Sequence, residues 1–392
     1  MQQTWRWFGP DDPVTLRNIL QAGASGVVSS LHQVATGDVW QLADILERKA
    51  MIEAAGLEWA VVESIPVHND IKTRSGNYKT YIENYKTSVR NTGAAGISVV
   101  CYNFMPVVDW TRTNLEYELP SASQALRFEM TDFVAYDVYL LERENAAGDY
   151  DPEMLQRAKQ RFDAMSDKAL AELEKNIIAG LPGAQDGYTR GSIRKAIAQF
   201  IDLGTEGMRQ NLFAFLAEVI PAAEDAGVRM CIHPDDPPFS LFGLPRVVST
   251  AADARELLAA VPSLSNGLTL CAGSYGARAD NDLVAMVKEF GSHIHFVHLR
   301  NIRREPDGSF YESEHLDGDN DIVGVVEALL DEEACRVKAS RLDQIPMRPD
   351  HGHAMGSEIG MPGVNPGYSF TGRLKGLAEL RGVMHAVERM RR

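Results

Sequence analysis

The 392-residue chain is predicted to be an α/β protein, a single (β/α)8 TIM barrel with a long helical insertion between strands four and five. Three observations carry that prediction. Eight short apolar runs alternate with helical patterns along the chain. Most of these runs are almost continuous in apolar residues, as parallel strands covered on both faces must be. The competing architecture, a doubly wound open sheet, is marked by a G-x-G-x-x-G or G-K-[ST] phosphate turn, and the sequence has neither.

Taken in order, the strands are expected at residues 4–9 (TWRWFG), 26–31 (GVVSSL), 58–64 (EWAVVES) and 96–104 (GISVVCYNF). The second four are expected at 227–234 (GVRMCIHP), 267–273 (GLTLCAG), 293–301 (HIHFVHLRN) and 344–350 (QIPMRPD). A helix over 13–22 opens at Pro13 and carries Val14, Leu16, Ile19 and Leu20 at helical spacing. Residues 38–55 read as an amphipathic helix stopped by Gly56, and 77–93 read the same way. Helices are also expected over 205–225, 280–290 and 320–333, with a closing helix over 373–391. About 120 residues separate strands four and five, far more than the roughly 15 a structureless loop spans. Residues 113–215 are therefore read as an insertion within the single domain 1–392, mostly helical over 122–215 and broken at LPGAQDGYTRG (181–191). Leaving the barrel where active sites sit, it is expected to act as a cap or a dimerisation arm.

Composition narrows the function. Hydrophobic residues make up 45% and charged residues 24%, which suits a globular enzyme with a large core. The formal charge, 39 − 54 = −15, repels polyanions and argues against nucleic acid as a partner. Apolar runs of about six to eight residues are too short to span a bilayer, which takes roughly 20. The opening MQQTWRWFGPDDP has no apolar h-region of a secretory signal. Cysteines at 101, 231, 271 and 335 form no C-x-x-C and no disulfide framework, so a reducing cytoplasm is expected.

Barrel chemistry lies at the C-terminal strand ends. There the fifth to eighth expected strands carry His233, Cys271, His298 and Asp350, the last followed by His351. Adjacent strands are about 4.8 Å apart, so four such ends can converge. Cys271 alone would read as a small buried hydrophobe. Four donor types in register point instead to one divalent metal, with Mn²⁺, Fe²⁺, Co²⁺ and Zn²⁺ all compatible with mixed N, O and S ligands. His293 and His295 accompany His298; spacing does not choose among the three, although the strand-end position favours His298. Arg300 and Arg348 flank the ligands with charge suited to a carboxylate. Arg6, Trp7, His32, Glu63 and Asn103, near the first four strand ends, are expected to form a polar wall for a polyol. Trp7 reads equally well as core packing, and Glu63 as a solvated rim residue. The Gly- and Pro-rich segment 348–373 reads as a functional loop that carries Tyr368 and Arg373 over the mouth. Tyr368 is a candidate proton donor, or a base if a cation lowers its pKa. In the polar loop 310–319, Glu312 and His315 are candidates to touch substrate or a neighbouring subunit.

The segments TWRWFGPDDPV, MCIHPDDPP, CAGSYGARADND, HFVHLRN and RPDHGH resemble those of the mannonate dehydratases of bacterial hexuronate catabolism. The resemblance runs nearly end to end. It implies a xylose-isomerase-like barrel, dehydration of D-mannonate to 2-dehydro-3-deoxy-D-gluconate, and one divalent metal, usually Mn²⁺ or Fe²⁺. It places the metal ligands on His233, Cys271, His298 and Asp350, and the acid–base groups on Asp350, His351 and Tyr368. Which group is acid and which is base stays open. A small sugar acid is the expected substrate, and a homodimer or higher homo-oligomer the expected assembly. The alternative is a sugar or sugar-acid isomerase or epimerase on the same barrel, disfavoured because such sites bind metal mainly through carboxylates. A metal-dependent nuclease and a non-enzymatic carbohydrate-binding protein are weaker readings.

Overall fold

A computed structural model describes residues 1–178, 188–341 and 344–391. Eight strands close a barrel in which every neighbouring pair is parallel. They are β1 (Gln2–Arg6), β2 (Gly26–Ser29), β3 (Glu58–Glu63), β4 (Val99–Tyr102), β5 (Arg229–Ile232), β6 (Asn266–Cys271), β7 (Ile294–His298) and β8 (Pro346–Arg348). Their order round the ring follows the chain, and β8 closes on β1 through Gln2 beside Pro346. β1 begins two residues earlier than expected, so Arg6 is its last residue.

Side chains on a barrel strand alternate between the interior and the surrounding helices. Val28, Val61, Val99, Cys101, Cys231 and Phe296 make one small inner cluster. The alternate residues, among them Trp5, Val62, Val100, Tyr102, Ile232, Leu270 and Val297, belong to the large core between strands and helices. Continuing the inner parity toward the C-terminal ends leads from Val61 to Glu63, from Cys231 to His233 and from Phe296 to His298. Trp7 has the parity of Trp5. It is buried in the outer core with the Arg48 guanidinium over its ring, so its expected place on the polar wall is corrected.

The expected helices are found at Leu16–Gln21, Leu42–Ala54, Tyr78–Ala94, Leu283–Phe290, Ile322–Lys338 and Phe370–Met390. A helix at Ala251–Ala260 was not expected, although its T-A-A-D capping box, Thr250 with Asp253, stands in the sequence. The region between β4 and β5 departs from the mostly helical expectation at its start. Asn114–Glu118 and Gln124–Phe128 form an antiparallel hairpin. It joins Phe310–Glu312 and Ile302–Arg304, from the β7–β8 connection, in a four-stranded accessory sheet. Gln124–Phe128 is almost wholly buried, so its place as a strand is decided by pairing within this sheet and outweighs its helix formers. Helices Pro152–Ala164, Asp167–Ile178 and Arg190–Asp225 follow. The last is interrupted at Gly204 (φ 67°), where only glycine turns without strain, and the helix expected from residue 205 begins just beyond it. Of the break expected at 181–191, residues 181–187 lie outside the described residues.

Candidate active site

The C-terminal mouth of the barrel holds a cavity that opens to solvent. Its lining includes Arg6, Glu63, Asn103, His233, Arg300, Arg348, Asp350, His351 and Tyr368. His233 lies one residue past β5, while Cys271 and His298 end β6 and β7. One donor atom from each of these three lies within 4.8 Å of the others. His233 Nε2 and His298 Nδ1 are 3.3 Å apart.

The outer nitrogens of both rings face protein acceptors. His233 Nδ1 donates to the Pro234 carbonyl at 2.7 Å, and His298 Nε2 lies 3.4 Å from Glu63 Oε1. A proton on each outer nitrogen leaves the inner one with a lone pair for a cation. Asp350, two residues past β8, brings Oδ2 to 3.7 Å from Cys271 Sγ and Oδ1 to 3.7 Å from His298 Nδ1. Its φ of 68° is uncommon for a residue with a Cβ, and such outliers cluster at active sites. Two imidazoles and a thiol form a group that suits one divalent transition metal; the His233 tautomer is held by the Pro234 carbonyl, and Asp350 lies beside the group, outside its 4.8 Å cluster.

Charge round this set is strongly coupled. Burial opposes ionisation of Asp350, but Arg348 (Nη1–Oδ1 2.5 Å), His351, His298 and Arg300 (Nε–Oδ2 3.3 Å) hold it well below the usual carboxylate range. Burial also opposes ionisation of Glu63, yet Arg348, His298 and Arg6 bring it down to about 2. Burial and then Arg348 keep His298 neutral. Burial resists charge on His233, but the adjacent Cys271 sulfur pushes it up to about 10. A bound divalent cation reverses that preference, because it competes with the proton for the same lone pair.

A second cluster adjoins the donor set. His351 Nε2 lies 3.2 Å from the Tyr368 hydroxyl, and His351 Nδ1 lies 2.8 and 2.9 Å from the two oxygens of Glu312. Arg300 spans Glu312 (3.0 Å) and Asp236 (2.7 Å), and Arg112 contacts the same two carboxylates. Burial raises the Tyr368 phenol to about 12 against the opposing pull of Arg348, so it keeps its proton at neutral pH.

A family model described as D-mannonate dehydratase (UxuA) matches residues 1–392. The chain belongs to the D-mannonate dehydratase family. A mannonate dehydratase of Saccharophagus degradans is 71% identical, the alignment covering 100% of this chain and 99% of the relative. Mannonate dehydratase 2 of Agrobacterium fabrum is 57% identical, covering 100% and 98%. The crystal structure of mannonate dehydratase from Streptococcus suis serotype 2 is 36% identical with a TM-score of 0.78, covering 100% of this chain and 94% of that one.

Within this dehydratase barrel, some expected wall residues stand one layer back. His32 contacts Arg6 (Nε2–Nη2 3.3 Å), and burial followed by Arg6 lowers its pKa to about 3, so it backs the cavity as a neutral ring. Arg373 does not reach over the mouth; it is buried against Trp5 and donates to the Arg6 and Tyr368 carbonyls. His315 props the end of β8 through the Pro349 carbonyl at 2.8 Å and does not line the main cavity. Asn103 does line it and donates to Asp109 Oδ2 at 3.3 Å. Asp236, Asp109 and Trp110 line it too, though sequence reasoning did not select them. Asp236 carried a signal, since it lies three residues past His233 in the HPDDPP segment. Among the described residues no helix is long and apolar enough to cross a membrane.

Proposed function

We propose that this chain dehydrates D-mannonate to 2-dehydro-3-deoxy-D-gluconate, with His233, Cys271, His298 and Asp350 holding one divalent metal, Mn²⁺ or Fe²⁺. The observation that carries the proposal is that His233, Asp350, His351 and Tyr368 line one cavity, with Cys271 and His298 grouped behind it on His233, in a chain of this family. When bound there, the metal supplies Lewis acidity toward the negative charge that develops on the substrate carboxylate.

The chain's own groups account for the rest. Arg6, Arg300 and Arg348 offer guanidinium donors that can orient a sugar acid, while Glu63, Asp109, Asp236 and Asp350 in the same lining offset their charge, so the attraction for a carboxylate would come from the bound metal. Asn103 and Asp109 offer a donor and an acceptor to hydroxyls farther along the chain. Loss of water needs a base for the C2 proton and an acid for the departing C3 hydroxyl. We assign the base to His351 Nε2, which has a lone pair when Nδ1 donates to Glu312. We assign the acid to Tyr368, whose phenol keeps its proton. Hydrogen-bond contact between the two lets the abstracted proton return to the leaving oxygen.

The test is a keto-product assay on metal-stripped protein, with D-mannonate or D-gluconate, before and after adding Mn²⁺. Metal-dependent product from D-mannonate alone is expected; none under any metal rejects the proposal. In D₂O, His351→Asn should lose C2 exchange, whereas Tyr368→Phe should keep exchange and lose elimination. The opposite pattern would swap the two roles. The proposal also includes a cytoplasmic homodimer or higher oligomer, consistent with four free cysteines. Cell fractionation and light scattering test these two points.

A further inference from the structure

We propose that Glu312 is a positioning residue for this reaction: it fixes the His351 tautomer, and the accessory sheet exists in part to hold it there. The inference rests on the dehydratase reading for its kinetic consequence, but not for its structural content.

Glu312 is buried, at 3% exposure, and ends a strand of the accessory sheet rather than of the barrel. Phe310 pairs with Phe128 of the insertion hairpin and stacks on it at 5.7 Å between ring centroids. Both Glu312 oxygens lie within 2.9 Å of His351 Nδ1. Arg300 Nη1, a donor, also lies 3.1 Å from Nδ1, but it already donates to Glu312 Oε1 at 3.0 Å, and the two carboxylate contacts of Nδ1 are shorter; we therefore place the hydrogen on Nδ1, which leaves Nε2 facing Tyr368 with a lone pair. Oε1 also accepts from Arg300 at 3.0 Å and Arg112 at 3.2 Å, which pins the carboxylate. Although burial opposes it, His351 and Arg300 hold the Glu312 carboxyl down at about 2, so it stays an acceptor at neutral pH.

The geometry makes Glu312→Gln an informative change. Arg300 and Arg112 can only donate, so the new amide must turn its carbonyl toward them. Its NH₂ then takes the Oε2 position, 2.9 Å from His351 Nδ1, and competes as a donor with the retained carbonyl 2.8 Å away. That competition shifts the proton toward Nε2, where a base needs a lone pair.

The experiment uses Zn²⁺-loaded protein with ¹⁵N-labelled histidine, the His351 signals being those lost in His351→Asn. The expected wild-type spectrum shows His351 protonated on Nδ1; protonation on Nε2 overturns the inference without any variant having to fold. Glu312→Gln should show the Nε2–H form. On D-mannonate its kcat should fall about 100-fold, within the range of general acid–base contributions, with KM nearly unchanged. In His351→Asn the same Glu312 substitution should cost almost nothing more, because it acts through the missing ring. A kcat within about threefold of wild type, or full additivity with His351→Asn, overturns the inference. Wild-type protein inactive on D-mannonate would refute the dehydratase reading, while the tautomer would still decide the role of Glu312.

Discussion

The two clusters at the barrel mouth are built differently. The donor set sits on or just past strand ends: His233, Cys271, His298 and Asp350 come from β5, β6, β7 and β8. The cluster round His351 is assembled from parts remote in sequence. Arg112 precedes the insertion hairpin, Asp236 follows β5, and Glu312 ends an accessory strand. The barrel ladder fixes Cys271 and His298 directly and His233 and Asp350 through one or two following residues, so the first cluster depends mainly on the barrel itself. The second depends on a separate sheet and on charge pairing, so single substitutions can disable it while the barrel stands.

Four experiments break or sharpen that contrast. The largest effect is expected from Cys271→Ser, which removes the soft donor. Metal affinity should fall by more than about 100-fold, beyond what outer partners of a ligand usually cost, and activity should fall with it. Elemental analysis after dialysis reads this directly; full occupancy would remove Cys271 from the site. Glu63→Gln should cost about 10-fold in metal affinity, because Glu63 faces His298 Nε2 from outside the donor set. Isothermal titration with Mn²⁺ measures it, and an unchanged affinity would reduce Glu63 to a partner of Arg348.

The third experiment is acid stability. Glu63 and Glu312 are depressed from 4.5 to about 2 in the folded chain. A depressed carboxyl stabilises the fold fully above its unfolded pKa and loses that contribution as pH falls through the folded one. Metal-stripped protein should therefore lose melting temperature between pH 4.5 and 2, and Glu312→Gln should flatten the decline. A slope identical to wild type would deny Glu312 that share. The smallest effect is expected from Trp7→Phe, since the ring faces the outer core. kcat/KM should stay within about twofold while the melting temperature drops by about 2 °C. A large loss of activity at unchanged stability would return Trp7 to the cavity wall.

Much of this was legible in the chain. Eight apolar runs announced the barrel, and residues near the ends of four of them supplied the donors proposed here, of which His233, Cys271 and His298 are grouped in the fold. Pleat parity was readable too: counting back from His298 in steps of two reaches Phe296 inside the barrel. His295 falls on the other parity, and its Nε2 turns to the Leu264 carbonyl at 2.7 Å. The same count separates Arg6 from Trp7. The tertiary structure alone decided the accessory sheet, which pairs residues 124–128 with 310–312 across some 180 positions of chain. It also decided the partnership of Glu312 with His351, and the burial that keeps a proton on Tyr368. Periodicity and strand ends are local properties that any stretch of sequence displays. A hydrogen-bond partner or a shifted pKa depends on what distant segments bring within a few ångströms, and no local pattern encodes that.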